Sequence, residues 1–146
     1  MTIWSHIAPY FTEDEKWGNP KKINGFLLLL LYIIRGELKF PIIIHCAYEK
    51  SGHSKESEHY KGNAVDFHIK TETPFLEQIR KLAAIFEDLQ VADRIGFGIY
   101  PTWKNPGFHL DVRGTEARWG RIDIKLNHKL VKQYVSFQEA LKYVKK

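Results

Sequence analysis

The sequence predicts an α+β domain, a small and largely antiparallel sheet with helices packed on one of its faces. Three observations carry this reading. A Leu-rich run from Ile23 to Arg35 and helically spaced apolar residues from Phe75 to Gln90 supply two core helices. Residues 41–47, 64–69, 94–100 and 108–113 are β-branched or alternate apolar with polar side chains, as strands do. The length of 146 residues leaves room for one core, so residues 1–146 are read as a single domain.

In chain order, Asn19-Pro20 and Lys21-Lys22 lead into the first helix, about four turns long, closed by Gly36 and expected to be buried on most sides. Pro41-Ile42-Ile43-Ile44 is too short and too β-branched for a helix and opens a central strand. Tyr48 to Glu58 is polar, with Ser51-Gly52 as a turn signal, and reads as a surface loop. From Ala64 to Ile69 the side chains of Val65, Phe67 and Ile69 share one face, and those of Ala64, Asp66 and His68 the other. Thr73 as cap and Pro74 in the first turn open the second helix. In residues 94–100, Gly96 and Gly98 lie opposite Ile95, Phe97 and Ile99; two glycines on one strand face mark the close approach of another backbone or a ligand. Pro101 to Gly107 is a loop. The next strand sets Leu110 and Val112 against His109, Asp111 and Arg113. Ile122 to Leu126 is a short strand, and Ser136-Phe137-Gln138-Glu139 is a capping box opening a last helix to about Val144.

Composition narrows the function classes. With 22 Lys+Arg against 17 Asp+Glu the net charge is +5, which suits a polyanionic partner. The cations are scattered over Lys21, Lys22, Lys125, Lys129, Lys132 and the carboxyl-terminal Lys142 to Lys146 stretch, so they read as solvated surface, and no nucleic-acid partner is expected. The single cysteine, Cys46, excludes an internal disulfide and any multi-cysteine zinc knuckle; it is read as a small buried residue. Phe26 to Ile34 is far shorter than the roughly 20 apolar residues that span a bilayer. Met1 to His6 shows no secretory signal, so synthesis in the cytoplasm is expected. His6, His53 and His128 have no evident partner and are assigned to the surface.

The stretch Ser57-Glu58-His59-Tyr60-Lys61-Gly62-Asn63-Ala64-Val65-Asp66 places an imidazole and a carboxylate seven positions apart, with a glycine between them to turn the backbone. Phe108-His109-Leu110-Asp111-Val112-Arg113 can supply a further ligand. Two histidines and an aspartate with an open fourth position suit catalytic zinc.

On these residues the chain resembles the zinc D-alanyl-D-alanine peptidases of the bacterial cell wall, whose fold is shared with the hedgehog signalling domain. The motif S-x-H-x-x-G-x-A-x-D is matched by Ser57, His59, Gly62, Ala64 and Asp66, and an aromatic followed by H-x-D by Phe108, His109 and Asp111. The family's glycine-rich strand before Tyr-Pro looks like Gly96-Phe97-Gly98-Ile99-Tyr100-Pro101, and the likeness extends over roughly residues 10 to 120. It implies that His59, Asp66 and His109 hold one Zn2+ and that a metal-activated water hydrolyses a peptide bond in peptidoglycan, as a carboxypeptidase or endopeptidase. The chain departs from the family in two places. Pro106 stands three before His109, where many relatives carry an acid, and Glu49 follows Cys46-Ala47-Tyr48, where relatives carry Ser-Gly-Tyr-Arg. Asp111 is therefore the first candidate for the base, followed by His68 and by Glu49 if its loop folds inward. Lys50, Ser57, Arg113, Tyr100 and Trp103 are the candidate substrate contacts. The resemblance implies a D-amino-acid-containing wall peptide as the partner; with no secretory signal the protein is expected to reach the wall by another route, as a phage or prophage lysin or tail component does, and it is expected to be a monomer. The alternative is a zinc-containing binding module of the same fold with impaired catalysis.

Overall fold

The computed structural model describes residues 2–145. Its strands are β1 (Ile42–Cys46), β2 (Ala64–Ile69), β3 (Gly96–Tyr100), β4 (Gly107–Asp111), β5 (Ala117–Leu126) and β6 (Lys129–Val135). Its α-helices are α1 (Ile3–Ile7), α2 (Gly25–Leu38), α3 (Phe75–Asp88) and α4 (Phe137–Leu141). The fold is α+β, with one six-stranded sheet ordered β1-β2-β4-β3-β5-β6. Every neighbouring pair is antiparallel except β3 with β5, so the sheet is mixed; β5 is longer than the short strand read at Ile122 to Leu126, and β6 is a strand the sequence patterns do not indicate. No helix among the described residues is long and apolar enough to cross a membrane.

Alternation decides what each face of the sheet does. Ile42 and Ile44 of β1, Val65, Phe67 and Ile69 of β2, Phe97 and Ile99 of β3, and Phe108 and Leu110 of β4 are buried in one core with Leu27, Leu31 and Ile34 of α2, Leu82 and Phe86 of α3 and Ala140 of α4. Phe108 stacks on Phe97 and on Phe75 at ring separations of 5.5 and 4.8 Å. The opposite face of the same strands carries Asp66, His68, His109 and Asp111, because residues one position away along a strand point the other way. Core packing thus fixes the register that lines up the polar groups, and a slip of one residue would bury them.

Helix α2 is capped by Asn24, whose side chain accepts from the N–H groups of Phe26 and Leu27 at 2.8 and 3.4 Å. It runs through Gly36 and stops at Lys39 in the left-handed conformation, three residues beyond the boundary the sequence suggests. The helix is also less enclosed than its composition implies, since Phe26 and Leu29 are 49% and 44% exposed. Pro74 occupies the cap position of α3 rather than its first turn, with no side-chain cap. The segment before α2 adds core that the patterns do not reveal: Ile7, Phe11 and Trp17 are fully buried, and the Trp17 indole N–H donates to the Thr12 carbonyl at 2.7 Å.

Two local features bring the chain to the polar face. The 3₁₀ turn Glu58–Lys61 is capped by Ser57, whose Oγ accepts from the His59 N–H at 3.2 Å, and it ends at Gly62 with φ +72°. A Cβ at Gly62 would run into the Lys22 carbonyl. Gly62→Ala is therefore expected to destabilise the fold by roughly 1–3 kcal/mol from the backbone conformation alone, measured as the shift in urea midpoint. In the second feature, Ile44 pairs with Phe67 but Cys46 pairs with Asp66, so one extra residue is accommodated at His45. This bulge re-aims Cys46, which strict alternation would send to the core, toward the polar face.

Candidate metal centre

His59, Asp66 and His109 meet at the floor of a cleft and are only 3%, 6% and 4% exposed. Asp66 and His109 are direct cross-strand partners on β2 and β4, and the 3₁₀ turn swings His59 in from the side. Asp66 Oδ1 lies 3.0 Å from His109 Nδ1 and 3.5 Å from His59 Nε2. One donor atom from each of the three residues falls within 4.8 Å of the other two. Ligands bonded at about 2.0–2.1 Å in a tetrahedron stand about 3.3 Å apart, so the spacing fits a divalent ion.

The far side of each ring explains why the near sides converge. His59 Nδ1 lies 2.7 Å from the Ala47 carbonyl, which can only accept, so Nδ1 carries the proton and Nε2 presents a lone pair. His109 Nε2 donates to Asp111 Oδ2 at 2.7 Å, which frees Nδ1 in the same way. Two imidazole lone pairs aimed at one carboxylate oxygen repel unless a proton or a cation lies between them. Carboxylate- and carbonyl-anchored imidazoles of this kind are the usual support of metal-ligating histidines.

Asp111 is fully buried and has no acceptor capacity left. Its Oδ1 accepts from the Gly96 N–H, the Arg113 N–H and Arg113 Nε at 3.1, 3.2 and 2.8 Å, and its Oδ2 from His109 and from Arg113 Nη2, the latter at 2.7 Å. This crowding makes Asp111 the group that orients His109, and it removes the free lone pair that a general base needs. Burial pushes the Asp111 carboxyl up, but Arg113 and His109 outweigh it and hold it well below the carboxylate range. For His109, burial disfavours the imidazolium, yet the hydrogen bonds to Asp111 and Asp66 prevail and raise its pKa to about 9. Asp66 is likewise pushed up by burial and held far down by His109 and His59. In the absence of an ion, a proton on His109 takes the cation's place.

The two strand-face glycines make room for side chains rather than for a backbone or a ligand. A Cβ on Gly96 would overlap the Asp111 carboxylate, and one on Gly98 would lie 3.0 Å from the Trp119 ring. Gly96→Ala is therefore expected to displace Asp111 and weaken metal affinity by roughly 10–100-fold, the range for losing an outer-shell partner. Competition between the variant and a chromophoric chelator for Zn2+ measures it.

The cleft encloses about 350 Å³ and is walled by His53, Glu58, Tyr100, Arg113, Trp119 and Tyr134 among others. Tyr100 donates its hydroxyl to Asp66 Oδ1 at 3.1 Å, and burial, then the Asp66 charge, push its pKa well up. Ser57 lines the cleft beside His59. Trp103 does not reach the cleft; it stacks behind Tyr100 at 4.4 Å and against His45 at 4.6 Å. His68 sits farther along the polar face, 2.7 Å from His45 and outside the cleft wall. Lys50 is exposed and Glu49 half-buried, neither lines the cleft, and the Glu49 N–H donates to the His59 carbonyl at 3.2 Å.

Five residues join the site that the sequence patterns do not flag. His53, assigned to the surface, is half-buried and stacks on His59 at 4.2 Å with 15° between the planes. Cys46, assigned to the core, lies on the polar face with its thiol 3.4 Å from Asp66 Oδ2. Trp119 of β5 covers His109 at 4.7 Å, and Tyr134 of β6 meets Trp119 edge-on at 5.7 Å. Glu58, next to His59, is buried against Lys61 and Asn63 at 3.0 and 3.5 Å. The sequence signals Glu58 only by its adjacency to His59, and it carries no signal for Cys46, whose placement depends on the bulge.

No family model, curated protein or solved structure matches the chain.

Proposed function

We propose that the chain is a zinc-dependent hydrolase of the kind its motifs resemble, with one ion at His59, Asp66 and His109 and the fold of the D-alanyl-D-alanine peptidases and the hedgehog domain. The observation that supports it is the pair of imidazoles, each tied at its far nitrogen and each turned onto the same Asp66 oxygen at the base of an open cleft. An ion bound there supplies a Lewis acid for a carbonyl and acidifies a water in its open position. The chain's own groups do the rest. Arg113 presents its guanidinium at the cleft wall while it steadies Asp111, and so offers the cation that Glu49 does not supply. Trp119 and Tyr134 give the cleft an aromatic side against which a peptide backbone can lie. With an ion bound, Glu58, the buried carboxylate of the cleft wall, would be the group to take the proton of the attacking water and return it to the leaving amine.

The substrate class that fits the motifs is the D-amino-acid peptide of peptidoglycan. Zinc-loaded protein incubated with defined muropeptides is expected to release a cleaved fragment detectable by mass spectrometry, and His59→Ala to release none. No cleavage of any wall peptide by fully loaded protein would remove the reading.

A second reading, a zinc-bearing binding module without turnover, is favoured by one observation. The carboxylate nearest the ligands, Asp111, is wholly committed to Arg113, Gly96 and His109. It predicts retention on insoluble wall material without fragment release, and metal-dependent cleavage eliminates it.

A further inference from the structure

We propose that the cleft offers a metal ion a second position, softer than the first and exclusive of it, formed by Cys46, His53 and His59. One donor atom from each of these residues lies within 4.8 Å of the other two, as in the His59-Asp66-His109 group, and His59 belongs to both. The inference concerns ion placement alone and does not depend on hydrolysis.

Each component is placed by a distinct feature of the fold. The bulge at His45 brings Cys46 opposite Asp66 instead of into the core. His53 is held by one phenol: its N–H donates to Tyr60 Oη at 2.8 Å, and the same hydroxyl donates back to the His53 carbonyl at 2.7 Å. The loop is thereby pinned with the His53 ring against His59. The stacked ring must rotate about its Cβ–Cγ bond to aim a nitrogen at the ion. That motion is open to a half-buried side chain whose ring nitrogens make no hydrogen bond among the described residues.

Exclusivity follows from His59. Its Nδ1 is occupied by the Ala47 carbonyl, so only Nε2 can ligate, and one lone pair serves one ion. The two positions differ in donor character. The first has a carboxylate and two imidazoles, a hard-to-borderline set; the second replaces the carboxylate by sulfur, which selects Cd2+, Cu+ and Zn2+ over harder ions. Occupying it requires the Cys46 thiol to give its proton to solvent as the metal–sulfur bond forms. Burial first, then Asp66 and Glu49, push the free thiol well up, and the bound positive ion must offset all three once the thiol ceases to donate to Asp66.

Co2+ and Cd2+ titrations of the 146-residue chain test this, because a thiolate ligand gives either ion an ultraviolet charge-transfer band that nitrogen and oxygen ligands do not. His109→Ala, with the first position disabled, is expected to bind one Co2+ per chain and to show the band. Cys46→Ser is expected to bind one Co2+ without it. The unaltered protein is expected to bind one ion in total and, with Cd2+, to show a band that Cys46→Ser lacks; this comparison holds even if His109→Ala fails to fold. Absence of the band from both His109→Ala with Co2+ and the unaltered protein with Cd2+ would overturn the second position, and two tightly bound ions per unaltered chain would overturn the sharing of His59. Failure of Cys46→Ser to bind Co2+ at all would instead overturn the first position, and is read separately.

Discussion

Replacing His59 with alanine is expected to lower Zn2+ affinity by on the order of 10²–10³-fold or more, taking the 10–16 kcal/mol of a four-ligand zinc site as shared among its ligands. His59 has the largest effect of any single residue because it belongs to both candidate ion positions, whereas Asp66 and His109 serve one and Cys46 and His53 the other. The loss is not a by-product of unfolding. His59 lies at the cleft floor rather than in the apolar core, and its ring is tied to the main chain by the Ala47 carbonyl at 2.7 Å. Chelator competition reads the affinity, and an unchanged far-ultraviolet circular dichroism spectrum confirms the fold. Affinity within threefold of the unaltered protein would remove His59 from the centre.

Metal-free protein is expected to lose stability as the pH rises through about 9. The His109 pKa is raised from 6.5 to about 9 in the folded chain, so folding binds a proton tightly there. That contribution is fully present below about pH 6.5 and disappears as the pH passes the folded value, a loss of up to roughly 3 kcal/mol for a shift of this size. A second loss belongs to the acid side. Asp66 and Asp111 have folded pKa values below their ordinary 3.8, so the stability they confer is present above that value and fades as the pH falls. Urea midpoints of chelator-treated protein at pH 6 and pH 9.5 measure the alkaline loss. Zinc-loaded protein is expected to show little difference between the same two pH values, because the ion holds the site where the proton did. His109→Gln, without a titrating ring, is expected to be flat in the metal-free state as well.

Much of the architecture could be read from local pattern, and the exceptions have identifiable causes. The strand β2 begins and ends where its alternation does, at Ala64 and Ile69, because one face is fully buried and the other carries polar groups. β6 is invisible by the same criterion. Its residues Lys129 to Tyr134 are all exposed, so no buried face imposes an alternation. The turn that makes it a hairpin, Asn127-His128, has φ +51° and +65° at its two central residues. Those are type I′ values, and histidine in the position usually held by glycine conceals them. The helix α2 runs past Gly36 because a single glycine inside a helix costs only about 1 kcal/mol, less than the packing around it supplies.

At the candidate site, the convergence of His59, Asp66 and His109 was legible because two spaced motifs each place their polar groups on one strand face or in one turn. The supporting residues were not, since their positions depend on tertiary events. Cys46 faces Asp66 only because of a bulge, which leaves no mark in Ile42-Ile43-Ile44-His45-Cys46. His53 reaches His59 only because Tyr60 ties back the loop that carries it. Asp111 was legible as a polar neighbour of His109 but not as a committed one, because the five donors around its carboxylate come from β3, β4 and the turn beyond.

The metal content of freshly purified protein, determined by elemental analysis after exhaustive dialysis, tests the central claim most directly. The geometry at Asp66 predicts close to one zinc per chain. Protein that emerges without metal, and takes up none when dialysed against micromolar Zn2+, would contradict it.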